Sequence, residues 1–171
     1  MDSTKILKCP ACGEEMEKVF VTSANCNLDI CTNGCGGIFF DNREYQKFDE
    51  KHESVDEIKK VLEGKTFKEV DKTFKRYCPV CGMKMLKNST SIKGEIIIDE
   101  CYSCGGKFLD YQELDAIRNE YETESDRSKD VINYLKANMG DEFEQMHAYS
   151  KIKNQRKEKE SLFNRIFSRF L

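Results

Sequence analysis

Apolar residues in this chain fall into runs of two kinds. Met85-Leu-Lys-Asn-Ser-Thr-Ser91 and Glu95-Ile-Ile-Ile-Asp-Glu100 flank the turn dipeptide Lys93-Gly94 and read as two strands of a hairpin. The other runs are spaced by three and four. Asp41-Asn-Arg-Glu44 and Asp110-Tyr-Gln-Glu113 each place an acid three residues before a Glu, the order of a capping box that opens a helix. Tyr45 with Phe48, and Leu114 with Ile117, follow at helical spacing and are expected to pack on the strands through Phe39 and Phe108. Ser54-Val-Asp-Glu57 opens a further helix that ends near Gly64, with Val55, Ile58, Val61 and Leu62 on one face. Phe67, Val70 and Phe74 keep the same spacing, which predicts a largely helical connection as far as Tyr77. From residue 111 onward the pattern is helical. In its last segment Leu162, Phe163, Ile166, Phe167, Phe170 and Leu171 form one face, opposite Asn164, Arg165, Ser168 and Arg169.

Composition narrows the picture. With 171 residues, 39% hydrophobic and 35% charged, the chain can supply one domain or two small ones, with little core material to spare. A net charge of -3 excludes a nucleic-acid binder marked by bulk positive charge. Residues 1–110 carry 17 bases and 19 acids, which favours a protein partner over nucleic acid. Residues 111–150 carry a net charge of -6 and residues 151–171 a net charge of +5. The basic amphipathic segment 161–171 therefore suits an anionic membrane surface, a partner's groove, or docking on the protein's own core or a second copy. No run reaches the roughly 18 apolar residues of a spanning helix, and Met1 to Cys9 lacks the apolar core of a signal peptide. A cytoplasmic location is expected.

The chemistry lies in nine cysteines. Eight form four close pairs: Cys9/Cys12, Cys31/Cys35, Cys78/Cys81 and Cys101/Cys104. The surroundings repeat as well. Pro10 and Pro79, Met16 and Met85, Lys18 and Lys87, and the double glycines Gly36-Gly37 and Gly105-Gly106 occupy matching slots, so the chain contains an internal duplication. Two thiolates in one tight turn grip an ion, and a second turn completes a tetrahedral shell of four sulfurs. Proline stiffens the turn and the glycines let the backbone curl toward sulfur. Each unit reads as a zinc ribbon, a short hairpin clamped at its open end, so two Zn2+ per chain are expected. Iron in a rubredoxin-type centre, or labile redox thiols, is the rival reading. Four thiolates close the coordination shell, which argues against catalysis at the metal and against a small-molecule substrate. A ribbon of about 35 residues lies below the size at which a domain usually folds alone, so the ion supplies the folding free energy. Cys26 is expected to be a thiol outside both shells, with service as a substitute ligand beside Cys31 as the alternative. His52 and His147 are expected on exposed helical stretches.

The second copy, from Cys78-Pro-Val-Cys81-Gly to Ile98-Asp-Glu-Cys101-Tyr-Ser-Cys104-Gly-Gly-Lys-Phe-Leu-Asp110-Tyr-Gln-Glu-Leu114, resembles the bacterial transcription-factor zinc-finger family, a TFIIB-like zinc ribbon. The first copy departs from that pattern by one extra residue in Cys31-Thr-Asn-Gly-Cys35 and by Tyr45 in place of Leu. Phe39 and Phe108 stand where the family usually shows Trp. The resemblance implies metal ligation by Cys9, Cys12, Cys31, Cys35, Cys78, Cys81, Cys101 and Cys104. It carries no demonstrated role in transcription. The expected architecture is α+β: a first ribbon with its helix over 5–50, a helical connector over 51–77, a second ribbon with its helix over 78–120, and a charged helical tail over 121–171. The expected function is that of a non-enzymatic zinc protein presenting surfaces to a macromolecular partner. The alternatives are a redox protein or a membrane-surface adaptor.

Overall fold

The computed structural model describes residues 5–146 and 148–150. The chain forms two compact units, Met1–Glu122 and Thr123–Leu171. In the first, strands β1 (Glu17–Val21), β2 (Cys26–Ile30), β3 (Ile38–Phe40), β4 (Leu86–Ser89), β5 (Ile97–Glu100) and β6 (Lys107–Leu109) make one sheet in the order β1-β2-β3-β6-β5-β4. Each repeat contributes a three-stranded antiparallel meander, one strand more than the expected hairpin. The added strand is three residues long and begins just after the double glycine, too short for a period of two to show in the sequence. β3 and β6 pair antiparallel with Phe39 opposite Phe108. The equivalent residues Phe39 and Phe108 thus face each other, and a local twofold passes between them. Together with the helices the fold is α+β.

Alternation along the strands sends side chains to two faces. One face buries Leu28, Ile30, Ile38, Phe40 and Leu109 beneath Phe48, Val55, Ile58 and Leu114. The other buries Phe39 and Phe108 among the cysteines, Met16 and Met85. The expected packing partners are therefore displaced by one residue. Tyr45 and Phe48 lie on Phe40, with ring centroids 5.9 and 5.7 Å away, because Phe39 points to the metal side.

The helices are also shorter than their spacing predicts. After the first ribbon there is only a 3-10 turn, Tyr45–Lys47. Arg118 takes the carbonyls of Phe48, Lys51 and Glu53, two of them at 2.6 and 2.7 Å, so the chain does not continue as a helix there. Half of each capping box forms: Glu44 and Glu113 accept from the amides of Asp41 and Asp110, both at 2.8 Å. Neither helix start has a side-chain N-cap. Helix α1 (Asp56–Leu62) and helix α2 (Glu113–Asn119) pack on the sheet through Ile58 and Leu114.

Residues 63–77 are not helical, contrary to the spacing of Phe67, Val70 and Phe74. This strap is held by tertiary bonds, one of which takes a backbone amide that a helix would need. The Lys68 amide donates to the Gly34 carbonyl at 3.0 Å, and Lys72 Nζ donates to Glu113 Oε1 at 2.8 Å. The Phe67 ring lies 4.5 Å from that of Tyr111.

In the second unit, helix α3 (Glu124–Met139) starts at Thr123, whose hydroxyl accepts from the Asp126 amide, and ends at Gly140. Residues 141–146 and 148–150 are helical again. Among the described residues no helix is long and apolar enough to cross a membrane. The amphipathic segment 161–171 and His147 lie outside the described residues. His52 is exposed, in a turn instead of a helix, with Nδ1 3.1 Å from Glu50.

Candidate metal centres

Each cysteine pair sits in a turn closed by the same backbone bonds. In the first ribbon Cys9 N donates to Glu14 O and Gly13 N to Cys9 O; in the second, Cys78 N donates to Met83 O and Gly82 N to Cys78 O. The facing turns are closed by Cys31 N to Gly37 O at 2.9 Å and Cys101 N to Gly106 O at 2.8 Å. The sulfurs of Cys9, Cys12, Cys31 and Cys35 come together, as do those of Cys78, Cys81, Cys101 and Cys104, each set within 4.8 Å. The closest approaches cross between turns: Cys9 to Cys35 at 3.5 Å, Cys12 to Cys31 at 3.4 Å, Cys78 to Cys104 at 3.5 Å and Cys81 to Cys101 at 3.4 Å. A disulfide requires about 2.05 Å, whereas four sulfurs around zinc at about 2.3 Å stand roughly 3.8 Å apart. Donor type, number and spacing all suit tetrahedral zinc, and the two groups fit two zinc ions, one per ribbon.

The longer turn of the first ribbon is accommodated by its extra residue. A Cβ on Gly34 would lie 2.6 Å from Cys31 Sγ and 2.7 Å from Cys12 Sγ, so only glycine fits. The second glycine of each Gly-Gly serves the opposite ribbon. A Cβ on Gly37 would lie 2.3 Å from the tip of Phe108, and one on Gly106 would lie 2.5 Å from the tip of Phe39. Each ribbon's aromatic ring thus seats on the other ribbon's cysteine turn.

Behind the sulfurs, Lys18 bridges to Asp29 at 3.0 Å and Lys87 to Asp99 at 2.9 Å, a cross-strand pair repeated in both copies. The second copy adds Arg76, whose side chain is 1% exposed. Its guanidinium donates to Asp99 at 2.8 Å and to Asp110 at 3.1 Å, and lies 5.0 Å from the Phe108 ring centre. Burial works against its charge, but the Asp110 and Asp99 carboxylates more than offset this and hold its pKa above the ordinary value. The sequence reading missed Arg76 because the matching position of the first copy is Leu7, so the repeat gave no signal for it.

The sulfurs share protons unequally. Hydrogen bonds from Cys35 and Cys9 lower Cys31 to about 2, and the hydrogen bond to Cys31 raises Cys9 and takes Cys35 up to about 12. In the second group the Met83 amide lowers Cys81 to about 7, while burial raises Cys78 and Cys104. Each group therefore offers an incoming cation one sulfur more acidic than an ordinary thiol. Cys26 belongs to neither group. It is buried at the start of β2 within the aliphatic cluster.

Two closed four-sulfur shells on the meanders of a shared sheet define a paired zinc ribbon. The family described as transcription factor zinc-finger, of the TFIIB zinc-ribbon type, matches residues 8–51 and again residues 77–120. Those segments cover half of the chain, and the chain belongs to this family. No curated protein and no solved structure gives a significant match.

Proposed function

We propose that the chain is a non-enzymatic binding protein in which two structural zinc ions hold a rigid ribbon pair that engages a macromolecular partner. The observation that carries this reading is the closed character of both centres. Among the described residues each offers four thiols and no His or carboxylate, so a zinc held by all four has no position left for water or substrate. The near balance of charge over residues 1–110 supports a protein partner over nucleic acid. Thiolate ligation needs a reducing compartment, for which we propose the cytoplasm. Metal analysis of the natively purified chain tests the reading. The expected result is two zinc per chain, no visible absorption, and loss of tertiary structure on chelation. Iron with a visible band, or disulfides without metal, would overturn it.

A further inference from the structure

The duplication supplies its own control for what the ribbon surface needs. In the second ribbon Tyr77, Val80, Met83, Leu86 and Tyr102 are 58, 45, 55, 48 and 66% exposed. The matching positions of the first ribbon are Lys8, Ala11, Glu14, Glu17 and Thr32. There Glu14 pairs with Lys68 and Thr32 donates to Glu17. Both ribbons close their turns with the same backbone bonds, so neither metal nor sheet requires apolar residues at these sites. Backbone pairing gathers the five along one ribbon, with Leu86 opposite Glu100, just before Cys101 and Tyr102. Tyr77 and Lys84 form a β-bridge, Val80 and Met83 shape the first turn, and the 3.4 Å approach of Cys81 to Cys101 brings Tyr102 beside it. Large apolar side chains in water at positions where the duplicate carries small or polar ones are the mark of an interaction face.

Its charge indicates what it meets. Residues 72–94 contain six bases and no acid. Lys72, Arg76 and Lys87 are paired inward, to Glu113, to Asp99 and Asp110, and to Asp99. Lys75 and Lys84 have no ion pair among the described residues and leave the face positive. Two spare lysines neutralise few phosphates, which disfavours nucleic acid even though Tyr77 and Tyr102 expose rings on this face. The face also borders the outer edge of the sheet at β4. Met85 N donates to Arg76 O while Thr90 N donates to Ile96 O, so by alternation the backbones of Lys87 and Ser89 turn away from β5. An extended segment can pair there, its side chains falling in turn beside Leu86 and beside Lys87, whose partly exposed ammonium has donors beyond the one given to Asp99.

We propose that this face docks an extended protein segment alternating apolar and acidic side chains. The proposal rests on the binding-protein reading above. The test titrates the full-length, zinc-loaded, 15N-labelled chain with short synthetic peptides alternating Leu or Phe with Asp or Glu. Amide shifts are expected at Tyr77, Val80, Met83, Leu86 and Tyr102, and none over residues 8–17. Grafting the first ribbon's residues (Y77K, V80A, M83E, L86E) should weaken binding roughly tenfold or more with two zinc retained, and M83E alone should weaken it in the same direction. No binding by any acidic peptide, undiminished binding to the graft, tighter binding of oligo(dT), self-association through these residues, or the same shifts produced by deleting residues 151–171 would each overturn the proposal. Zinc content separates the two claims: a chain holding two zinc that binds no peptide sinks the docking face alone, whereas an iron-bearing or disulfide-bonded chain sinks the reading beneath it.

Discussion

Gly34 carries the difference in spacing between the two ribbons on a single missing methyl group. Its Cβ would sit within 2.7 Å of two ligand sulfurs, so Gly34→Ala should force the first turn apart. Overpacking of this kind costs about 1–3 kcal/mol, and the expected result is zinc surrendered to a chelating dye at a lower dye concentration than from the unaltered chain. Arg76 is what sets the second ribbon apart from the first. Arg76→Leu copies the first ribbon's own side chain, yet strands Asp110 and part of Asp99 in a buried setting. Breaking a buried pair costs about 3–5 kcal/mol, whereas Lys87→Ala, at a side chain 38% exposed, should cost under about 1 kcal/mol. Denaturant unfolding of the two variants checks the contrast. The eight cysteines were legible because ligand chemistry is written in short spacings that occur twice. Arg76 was illegible because its partners lie 23 and 34 residues away and its counterpart is Leu7.

At the scale of elements, the sequence shows well whatever repeats locally and poorly whatever depends on a distant partner. The β4–β5 hairpin follows from its turn and its apolar run. The strap 63–77 imitates a helix in its spacing, but its backbone is taken by Gly34 and its side chains by Glu14, Glu113 and Tyr111. The helix expected after Glu44 gave way because Arg118, from the other repeat, occupies its carbonyls. β3 and β6 are legible only in hindsight, through the Gly-Gly that precedes each and the Phe within each. Their junction yields a reciprocal prediction. Gly37→Ala should displace Phe108 and Gly106→Ala should displace Phe39, each by intrusion on a ring tip closer than 3 Å. Each substitution in one ribbon should therefore perturb the aromatic resonances of the other, at a cost of about 1–3 kcal/mol. Shifts confined to the mutated ribbon would show that the junction does not transmit.

For the first unit as a whole, this interlock makes the two zinc ions partners in one folding event. Each ion fixes a pair of turns, and each pair of turns carries the glycine on which the other ribbon's Phe rests, so losing one ion loosens the seat of the other. Acid provides the cleanest test. A zinc-bound cysteine stays deprotonated well below the ordinary thiol value of about 8.5, so its pKa is depressed in the folded, loaded state relative to the unfolded chain. By linkage, stability from such a group is full above the ordinary thiol value, declines as pH falls below it, and is gone where protons displace the metal. Independent ribbons would release zinc in two steps, because the sites differ: the first has the longer turn from Cys31 to Cys35, and the second alone is backed by the Arg76–Asp99–Asp110 cluster. Interlocked ribbons should instead release both ions in one step that coincides with loss of the sheet, followed by dye-detected zinc alongside circular dichroism. Cys101→Ser, which removes one ligand from the second group alone, should then shift the release of both ions toward higher pH. Should the first ion still leave at its original pH in that variant, the Phe39–Gly106 and Phe108–Gly37 contacts would be packing without coupling.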